Sequence, residues 1–364
     1  MAFPMRSFLA LSFSLCAAAG LYAADRLVGG PYVVYPAART ATIGWIVESD
    51  GATVTGDSGQ ARRFPVLRSE KITMTGLKPG ETLQYEIPEV GGATPEDRKG
   101  SFKVPAAAGA PFQFVVFGDT RSRDELHRKV IEAIARTNPD FVVHTGDLVA
   151  DGYDTLQWPN FFSIEKDLLR KTVFFPVLGN HERDNARFYD FFDVKTAYYS
   201  FDWGTAHFAV IDSDVSNVSS SKSARERFWA DQTAWLEADL ERSQKAAFRF
   251  VVMHHPPLTV NLSSAGHVSK ETPTLEPLFE KMKVAAVFAG HDHNYQHHLK
   301  NGVHYIVTGG GGAPLAKAEA PLEGITVKVE SVEHYVTVKV EGDKAHIEAV
   351  ALDGHPIESI ELAQ

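Results

Sequence analysis

Cysteine is almost absent from this chain: Cys16 is the only one among 364 residues. Disulfide bonds within the chain are therefore excluded, and the fold must be stabilised by packing of its core. Long runs of one charge and low-complexity tracts are also missing, and the net charge is −10. This balance argues against nucleic-acid binding through a basic surface. With 44% hydrophobic and 23% charged residues, the composition is that of a globular protein with one large core and room for a small additional domain.

The N-terminal segment has the pattern of a secretory signal peptide. Arg6 supplies a positive charge, residues 8–16 form a short apolar stretch, and the alanines at 17–19 and 23–24 offer cleavage sites. The stretch is short for a membrane span, although an uncleaved anchor stays the alternative. We therefore expect residues 1–24 to be removed, the mature protein to lack a membrane span, and its location to be a bacterial periplasm or the exterior. Cleavage after Cys16 leaves a mature protein without cysteine, which suits export without disulfides.

Five hydrophobic runs each end at residues of the types that bind metal ions. The runs at 112–117, 141–144, 173–178, 248–253 and 284–289 indicate buried strands. The motifs that follow them are Gly118-Asp119, Gly146-Asp147, Gly179-Asn180-His181-Glu182, His254-His255-Pro256 and Gly290-His291-Asp292-His293. Because ligand sites in α/β sheets form beyond the carboxyl ends of the strands, we expect these motifs to meet at one edge. A mixed set of Asp, Asn and His is typical of a pair of Mn, Fe or Zn ions rather than Ca.

In this order the motifs resemble the signature of the calcineurin-like metallophosphoesterases, from about residue 111 to the 350s. The resemblance implies an α/β fold, a four-layer sandwich of two mixed sheets with helices outside. It also implies a metal-dependent hydrolase in which a hydroxide bridging two ions attacks a phosphoester. By the same resemblance, six side chains hold the ions: Asp147 binds both, Asp119 and His293 bind the first, and Asn180, His254 and His291 bind the second. His181 is similar to the family's histidine beside the phosphoryl group, where it can protonate the leaving alkoxide.

The first metal site departs from the family pattern. Arg121 stands two residues after Asp119, where most relatives have a histidine ligand, and arginine does not bind cations. Purple acid phosphatases instead take a tyrosine three residues after the bridging aspartate, and here that residue is Ala150. Water or another histidine, such as His127, would have to complete the site. Arg121 itself either clamps a phosphoryl oxygen of the substrate or lies in a solvated loop.

Three more residues near the motifs are candidates for supporting roles. His267 lies in a polar loop after the fourth motif, from which relatives place a histidine over the substrate; a simple exposed loop is the alternative. His255 and Glu182 flank predicted ligands, and we expect them to orient those ligands by hydrogen bonds rather than to bind metal.

Residues 25–105 differ from the rest of the chain, because their sequence pattern indicates short strands separated by turn residues. The segments Gly30-Pro31-Tyr32, Ile43-Gly44-Trp45 and Leu77-Lys78-Pro79-Gly80 resemble the fibronectin-III-like domain that precedes the catalytic domain of purple acid phosphatases. The resemblance implies a small all-β sandwich at 25–105, a linker at 106–110 and a catalytic domain at 111–364. At the start of the catalytic region, Ser122 and Glu125 predict a capping box for a helix that ends before Pro139.

The leading hypothesis is an exported phosphoesterase with two metal ions, acting on a small or macromolecular phosphoester. The front domain slightly favours monoesters, and phosphodiesterase activity at the same centre is the alternative. A hypothesis of another class is a non-catalytic exported binding or adhesion protein on a degenerate metal-binding fold. Arg121 is its only support in the sequence, and the presence of His181 and both aspartates argues against it.

Overall fold

The computed structural model describes residues 25–37, 39–57, 59–261 and 274–363. The strands of this part of the chain are β1 (Arg26–Ala37), β2 (Thr40–Thr55), β3 (Ala61–Thr75), β4 (Thr82–Glu86), β5 (Lys99–Lys103), β6 (Phe112–Phe117), β7 (Phe141–His144), β8 (Val173–Pro176), β9 (Tyr199–Trp203), β10 (Ala206–Val210), β11 (Phe248–Val252), β12 (Ala286–Ala289), β13 (Tyr295–Lys300), β14 (Val303–Thr308), β15 (Thr326–Glu330), β16 (His334–Glu341), β17 (Lys344–Ala351) and β18 (Pro356–Ala363). The helices are α1 (Asp124–Thr137), α2 (Gln157–Leu169), α3 (Ala186–Phe192), α4 (Lys222–Arg242) and α5 (Glu276–Lys281), with a 3-10 turn at Val215–Asn217.

Two large mixed sheets form the frame of the protein. In the first, β6, β7, β8 and β1 run parallel, and antiparallel strands extend both sides to give the order β18-β17-β16-β6-β7-β8-β1-β2-β3. In the second, β10, β11, β12 and β14 are parallel within the order β15-β13-β14-β12-β11-β10-β9. The five hydrophobic runs are β6, β7, β8, β11 and β12, so the motifs follow the carboxyl ends of parallel strands, as predicted.

The main core lies between the two sheets and is rich in phenylalanine. Phe114 of the first sheet stacks on Phe141 at 4.9 Å between ring centroids, and it meets Phe208 of the second sheet edge-on at 5.1 Å. Such ring pairs each contribute about 0.5–1.5 kcal/mol beyond their buried area. Helices α1, α2 and α3 pack on the outer face of the first sheet, and α4 and α5 pack on that of the second. The predicted four-layer α/β sandwich is therefore confirmed.

The N-terminal part of the chain is all β, as predicted, and it joins the first sheet. β1 pairs in parallel with β8, with Val33 opposite Val173 and Val34 opposite Phe174. β2 and β3 continue outward from β1, while β4 and β5 form a separate two-stranded sheet. The first sheet therefore runs across the boundary predicted at 106–110. The division into domains and the fibronectin-III likeness of residues 25–105 stay predictions.

The start of α1 differs from the predicted capping box. Ser122 has a positive φ of 78°, and the residue at the N-cap is Arg123, whose side chain makes no capping hydrogen bond. A serine held in the left-handed region ahead of the cap cannot reach the free N–H groups of the first turn. The helix ends as expected, since Asn138 is left-handed directly before Pro139. In the described part of the chain, none of the helices has the length and apolar character needed to cross a membrane.

Candidate metal centre and active site

Three of the six predicted ligands have a left-handed backbone. The φ angles of Asp119, Asp147 and His291 are 58°, 59° and 67°, a conformation that costs energy for residues other than glycine. Each lies in a turn just beyond a buried strand. Local strain of this kind concentrates at functional sites, where the surrounding structure holds it in place. Gly290 makes one of these turns possible, because a Cβ there would lie 2.5 Å from Oδ2 of Asp119.

Asp147 occupies the centre of the predicted ligands. Its Oδ1 lies 3.3 Å from Nε2 of His254 and accepts a hydrogen bond of 3.1 Å from the N–H of His181. Its Oδ2 accepts a hydrogen bond of 3.1 Å from Nε of Arg121. The two oxygens of one buried carboxylate therefore face two different groups of side chains, which is the arrangement that a ligand shared by two ions requires.

The residues predicted for the second ion converge on Oδ1 of Asn180. This oxygen lies 3.0 Å from Nε2 of His254 and 3.2 Å from Nδ1 of His291. Nδ1 of His254 donates to the carbonyl oxygen of Thr145 at 2.8 Å, which fixes the tautomer and turns the lone pair of Nε2 into the site. With Oδ1 of Asp147, these atoms offer four ligands from oxygen and nitrogen, a set that fits Mn, Fe or Zn.

The residues predicted for the first ion also lie together. Asp119 is fully buried; its Oδ2 accepts from the N–H of His291, and its Oδ1 accepts no hydrogen bond from any described residue. Nε2 of His293 lies 3.5 Å from that Oδ1. Nδ1 of His293 donates to the carbonyl oxygen of Pro314 at 2.8 Å, so in the neutral ring Nε2 carries the lone pair that a metal ion would use. An orphaned buried carboxylate oxygen fits a bound cation.

Arg121 lies against the ligand atoms of this first site. Its Nε contacts Asp147, its Nη2 lies 3.4 Å from Nε2 of His293, and the side chain is 17% exposed. It is therefore not a solvated loop residue. His127, the alternative ligand, lies elsewhere: its Nε2 is 2.9 Å from the buried carboxylate of Glu165 on α2. This contact holds His127 in the core, so it does not complete the first site.

The charges of the site favour a cation. Burial raises the pKa of Asp147, but the positive charges of His254, His181 and Arg121 outweigh it and bring the pKa below its ordinary value. Burial also lowers the pKa of His254, but the carboxylates of Asp147 and Asp119 outweigh that effect and raise it. The buried carboxylates therefore give the centre a negative potential, which favours a bound cation.

His181 lies at the edge of the centre rather than among the ligands. Its Nδ1 donates to the carbonyl oxygen of Ala150 at 2.7 Å, and its Nε2 is 3.8 Å from Oδ2 of Asp147. The side chain is 30% exposed and faces a cavity of about 360 Å³. The cavity is lined by Ala150, Asp151, Asn180, His181, Arg183, Ser216, Asn217 and His255. The predicted position of His267 lies outside the described residues.

Several groups that orient the site carry no signal in the sequence. The imidazoles of His254, His181 and His293 are held by backbone carbonyls, those of Thr145, Ala150 and Pro314. Ser213 also escaped prediction, although its hydroxyl accepts hydrogen bonds from the N–H groups of His254 and His255. A backbone carbonyl exists at every residue, so its role depends on the fold rather than on residue type.

Several known proteins resemble this chain in sequence. Residues 112–295 match the family model described as calcineurin-like phosphoesterase. The chain is 30% identical over 216 residues to purple acid phosphatase 21 of Arabidopsis thaliana, covering 54% of this chain and 47% of that protein. It is 27% identical over 210 residues to probable inactive purple acid phosphatase 9 of the same plant, covering 46% of this chain and 31% of that protein. The chain therefore spans less than half the length of these two relatives.

A solved structure extends the similarity of fold over nearly the whole chain. The structure of a purple acid phosphatase from yellow lupin seeds superposes with a TM-score of 0.71 at 18% identity, covering 92% of this chain and 74% of that chain. At this identity the likeness concerns the fold.

Proposed function

This chain belongs to the calcineurin-like phosphoesterase family, and on that basis we propose that it hydrolyses phosphate esters at a centre of two metal ions. The observation that carries the proposal is the position of Asp147: one ligand atom each from Asp119, Asp147 and His254 lie within 4.8 Å of one another, and Oδ2 of Asp147 faces Arg121, which also contacts His293. The proposed ligands are Asp119, Asp147 and His293 for the first ion and Asp147, Asn180, His254 and His291 for the second. The family also includes a relative named as probably inactive, so the activity needs a direct test.

The proposed division of labour follows from the geometry. Two cations bound here would lower the pKa of a shared water and neutralise charge on the phosphoryl oxygens. The imidazolium form of His181 would give its Nε2 proton to the leaving alkoxide and become neutral, because the ring lines the cavity and its Nδ1 stays hydrogen-bonded to the carbonyl of Ala150. The carbonyl oxygens of Thr145 and Pro314 would keep the imidazoles of His254 and His293 in the productive orientation, and Ser213 would hold the backbone of His254.

The cavity beside His181 is our proposed place for the substrate's alcohol group. Its volume of about 360 Å³ suits a small organic group. Asp151, Arg183 and Asn217 give it a polar wall. We favour a phosphate monoester, because a monoester dianion has one more negative charge than a diester and Arg121 adds a positive charge beside the ions. Hydrolysis of diesters at the same centre is the alternative.

A non-catalytic binding protein is the candidate of another class. The name of the probably inactive Arabidopsis relative and the arginine at the first site favour it. His181 favours catalysis, because a binding scaffold has no need of an imidazole held at 2.7 Å by a carbonyl and turned toward the cavity. We also propose that the protein is exported by its N-terminal signal and that His267 reaches the substrate.

A single set of assays tests the proposed metal-dependent activity and its preference for monoesters. The purified protein is stripped of metal, reloaded separately with Mn, Fe or Zn, and assayed with 4-nitrophenyl phosphate and bis(4-nitrophenyl) phosphate, while bound metal is measured by mass spectrometry. We expect metal-dependent hydrolysis, faster for the monoester, and two ions per chain at saturation. Folded, metal-loaded protein that hydrolyses neither ester would reject the enzymatic function in favour of the binding function. Faster hydrolysis of the diester would reverse the proposed preference.

A further inference from the structure

The two predicted metal sites differ in the neighbouring groups that contact their ligand atoms. At the second site, Oδ1 of Asn180 is close to both imidazoles, and carbonyl oxygens fix the ring orientation. At the first site, the guanidinium of Arg121 contacts two of the three ligand atoms, Oδ2 of Asp147 at 3.1 Å and Nε2 of His293 at 3.4 Å. One site is thus open to an ion, and the other is covered by a permanent positive charge.

The contact with His293 excludes simultaneous binding of an ion. Nδ1 of His293 donates to the carbonyl oxygen of Pro314, so the neutral ring has its one lone pair on Nε2. That lone pair either accepts the N–H of Arg121 or binds a metal ion, and it cannot do both. An ion at the first site therefore requires Arg121 to leave His293.

At Asp147, charge repulsion and lack of space also oppose the simultaneous presence of Arg121 and a metal ion. A metal ion bound to Oδ2 would lie about 2.0–2.2 Å from that oxygen, while Nε of Arg121 is 3.1 Å from it. Two positive charges that share one oxygen at these distances repel each other strongly inside a buried site. The guanidinium cannot reduce this repulsion by losing its proton, because arginine stays charged in proteins.

We propose that Arg121 competes with the first metal ion for Asp147 and His293, so that the two sites fill unequally. The second site binds its ion tightly, and the first fills only when Arg121 has moved away. A phosphoryl group is the anion that would hold Arg121 in its displaced position, which couples filling of the first site to the presence of substrate or product. The inference rests on the proposed centre of two ions and adds an order of filling to it.

Calorimetric titration of the metal-free protein with Mn²⁺ tests the inference. We expect the wild type to bind one ion at least about tenfold more tightly than the other, because each first-site ion must break hydrogen bonds to charged groups. Arg121→Ala should bring the weaker affinity up by about tenfold or more while leaving the stronger one nearly unchanged. Arg121→Gln retains hydrogen-bond donors without the charge. Its weaker affinity should lie between those of the wild type and Arg121→Ala. Equal affinities in the wild type, or no tightening in Arg121→Ala, would show that Arg121 does not compete.

Two control variants separate competition from a general effect of charge. Arg183→Ala removes a positive charge that is paired with Asp151 beside the cavity, at 3.2 Å, and touches none of the predicted ligands. It should change the weaker affinity much less than Arg121→Ala does. Against His293→Ala alone, the double variant Arg121→Ala with His293→Ala should raise the weaker affinity less than Arg121→Ala does against the wild type, because only the contact with Asp147 is then relieved. Equal tightening in Arg183→Ala, or an undiminished gain in the double variant, would contradict the inference.

Electron paramagnetic resonance gives a readout that needs neither activity nor a mutant. With one equivalent of Mn²⁺, the wild type should show isolated ions, and coupled pairs should form only at higher Mn²⁺ or after inorganic phosphate is added. Coupled pairs at one equivalent without phosphate would contradict unequal filling. Unequal filling in a protein that hydrolyses neither ester would reject the proposed activity and leave this inference intact. Equal filling in an active enzyme would reject this inference alone.

Discussion

Oε2 of Glu182 accepts a hydrogen bond of 2.9 Å from the backbone N–H of Asp147. The same oxygen accepts from the N–H of Gly179 at 2.8 Å, and Oε1 accepts from those of Leu148 and Val149. One buried carboxylate therefore binds the loop of the central aspartate to the loop that begins Gly179-Asn180. Through the backbone, it fixes the spacing between Asp147 and Asn180.

Replacing Glu182 with glutamine should loosen this connection. The amide offers only one acceptor oxygen, so at least one buried N–H loses its partner, at a cost of about 1–3 kcal/mol. We expect a lower free energy of unfolding in urea together with weaker binding of both metal ions. Glu125→Gln is the matched control, because Glu125 is exposed and pairs only with Lys129 on the surface of α1. Unchanged unfolding and metal binding would show that Glu182 has no positioning role.

Asp147→Asn should weaken both ions at once. Asparagine keeps one oxygen and loses the negative charge, so a residue that faces both groups of ligands can no longer serve both. Hydrolysis should fall at least about 100-fold, since metal ions contribute several kcal/mol to transition-state stabilisation. Metal content after dialysis is the decisive measurement. Two retained ions with full activity would contradict the shared position of this carboxylate.

His181→Gln should retain the metal ions and lose about 10²–10⁴-fold in rate, the usual contribution of a general acid. The loss should depend on the leaving group. An alkyl phosphate, whose alkoxide needs a proton, should lose the full amount, whereas 4-nitrophenyl phosphate should lose much less because nitrophenolate leaves unprotonated. Loss of metal in the variant, or equal loss for both substrates, would assign His181 another role.

A pH-dependent contribution to stability is expected from His207, far from the metal centre. Burial lowers the pKa of this imidazole, but hydrogen bonds to Asp202 and Asp239, each 2.8 Å long, outweigh that effect and raise it to about 9. The folded state therefore favours protonation of His207 more than the unfolded state does. In the unfolded chain the pKa of histidine is about 6.5. The contribution should be full below pH 6.5 and should decline as the pH rises toward 9.

Denaturant unfolding of His207→Gln at several pH values checks this sign. The difference in stability from the wild type should be largest at about pH 6, below the ordinary pKa of histidine, and should shrink steadily toward alkaline pH. His346→Gln is the control, because His346 is partly exposed and pairs with an exposed carboxylate, that of Glu361. A difference that grows with pH would show that the buried ring is neutral.

The fold and the meeting of the six candidate ligand residues at one sheet edge could be predicted because both depend on residue type, and their roles as ligands stay a prediction. Hydrophobic runs fix buried strands, and a metal site needs particular side chains in a particular order. The orientation of Arg121 could not be predicted, since a guanidinium can turn toward solvent, substrate or neighbouring carboxylates, and only the packed loops decide. The predicted capping box at Ser122 was wrong for a related reason: the turn that carries Arg121 past Asp119 forces Ser122 into a left-handed conformation.

The parallel pairing of β1 with β8 has a consequence for how the chain folds. Val33 and Val173 are neighbours in the sheet, yet they are far apart in the sequence, so the first strand to be synthesised must wait for a partner made much later. Contacts of such long range slow folding more than they affect stability. They also leave the edge of β8 open until β1 arrives, and an open edge pairs readily with other chains. We therefore expect β1 to shield the edge of β8, and a chain that begins at residue 111 to aggregate more readily.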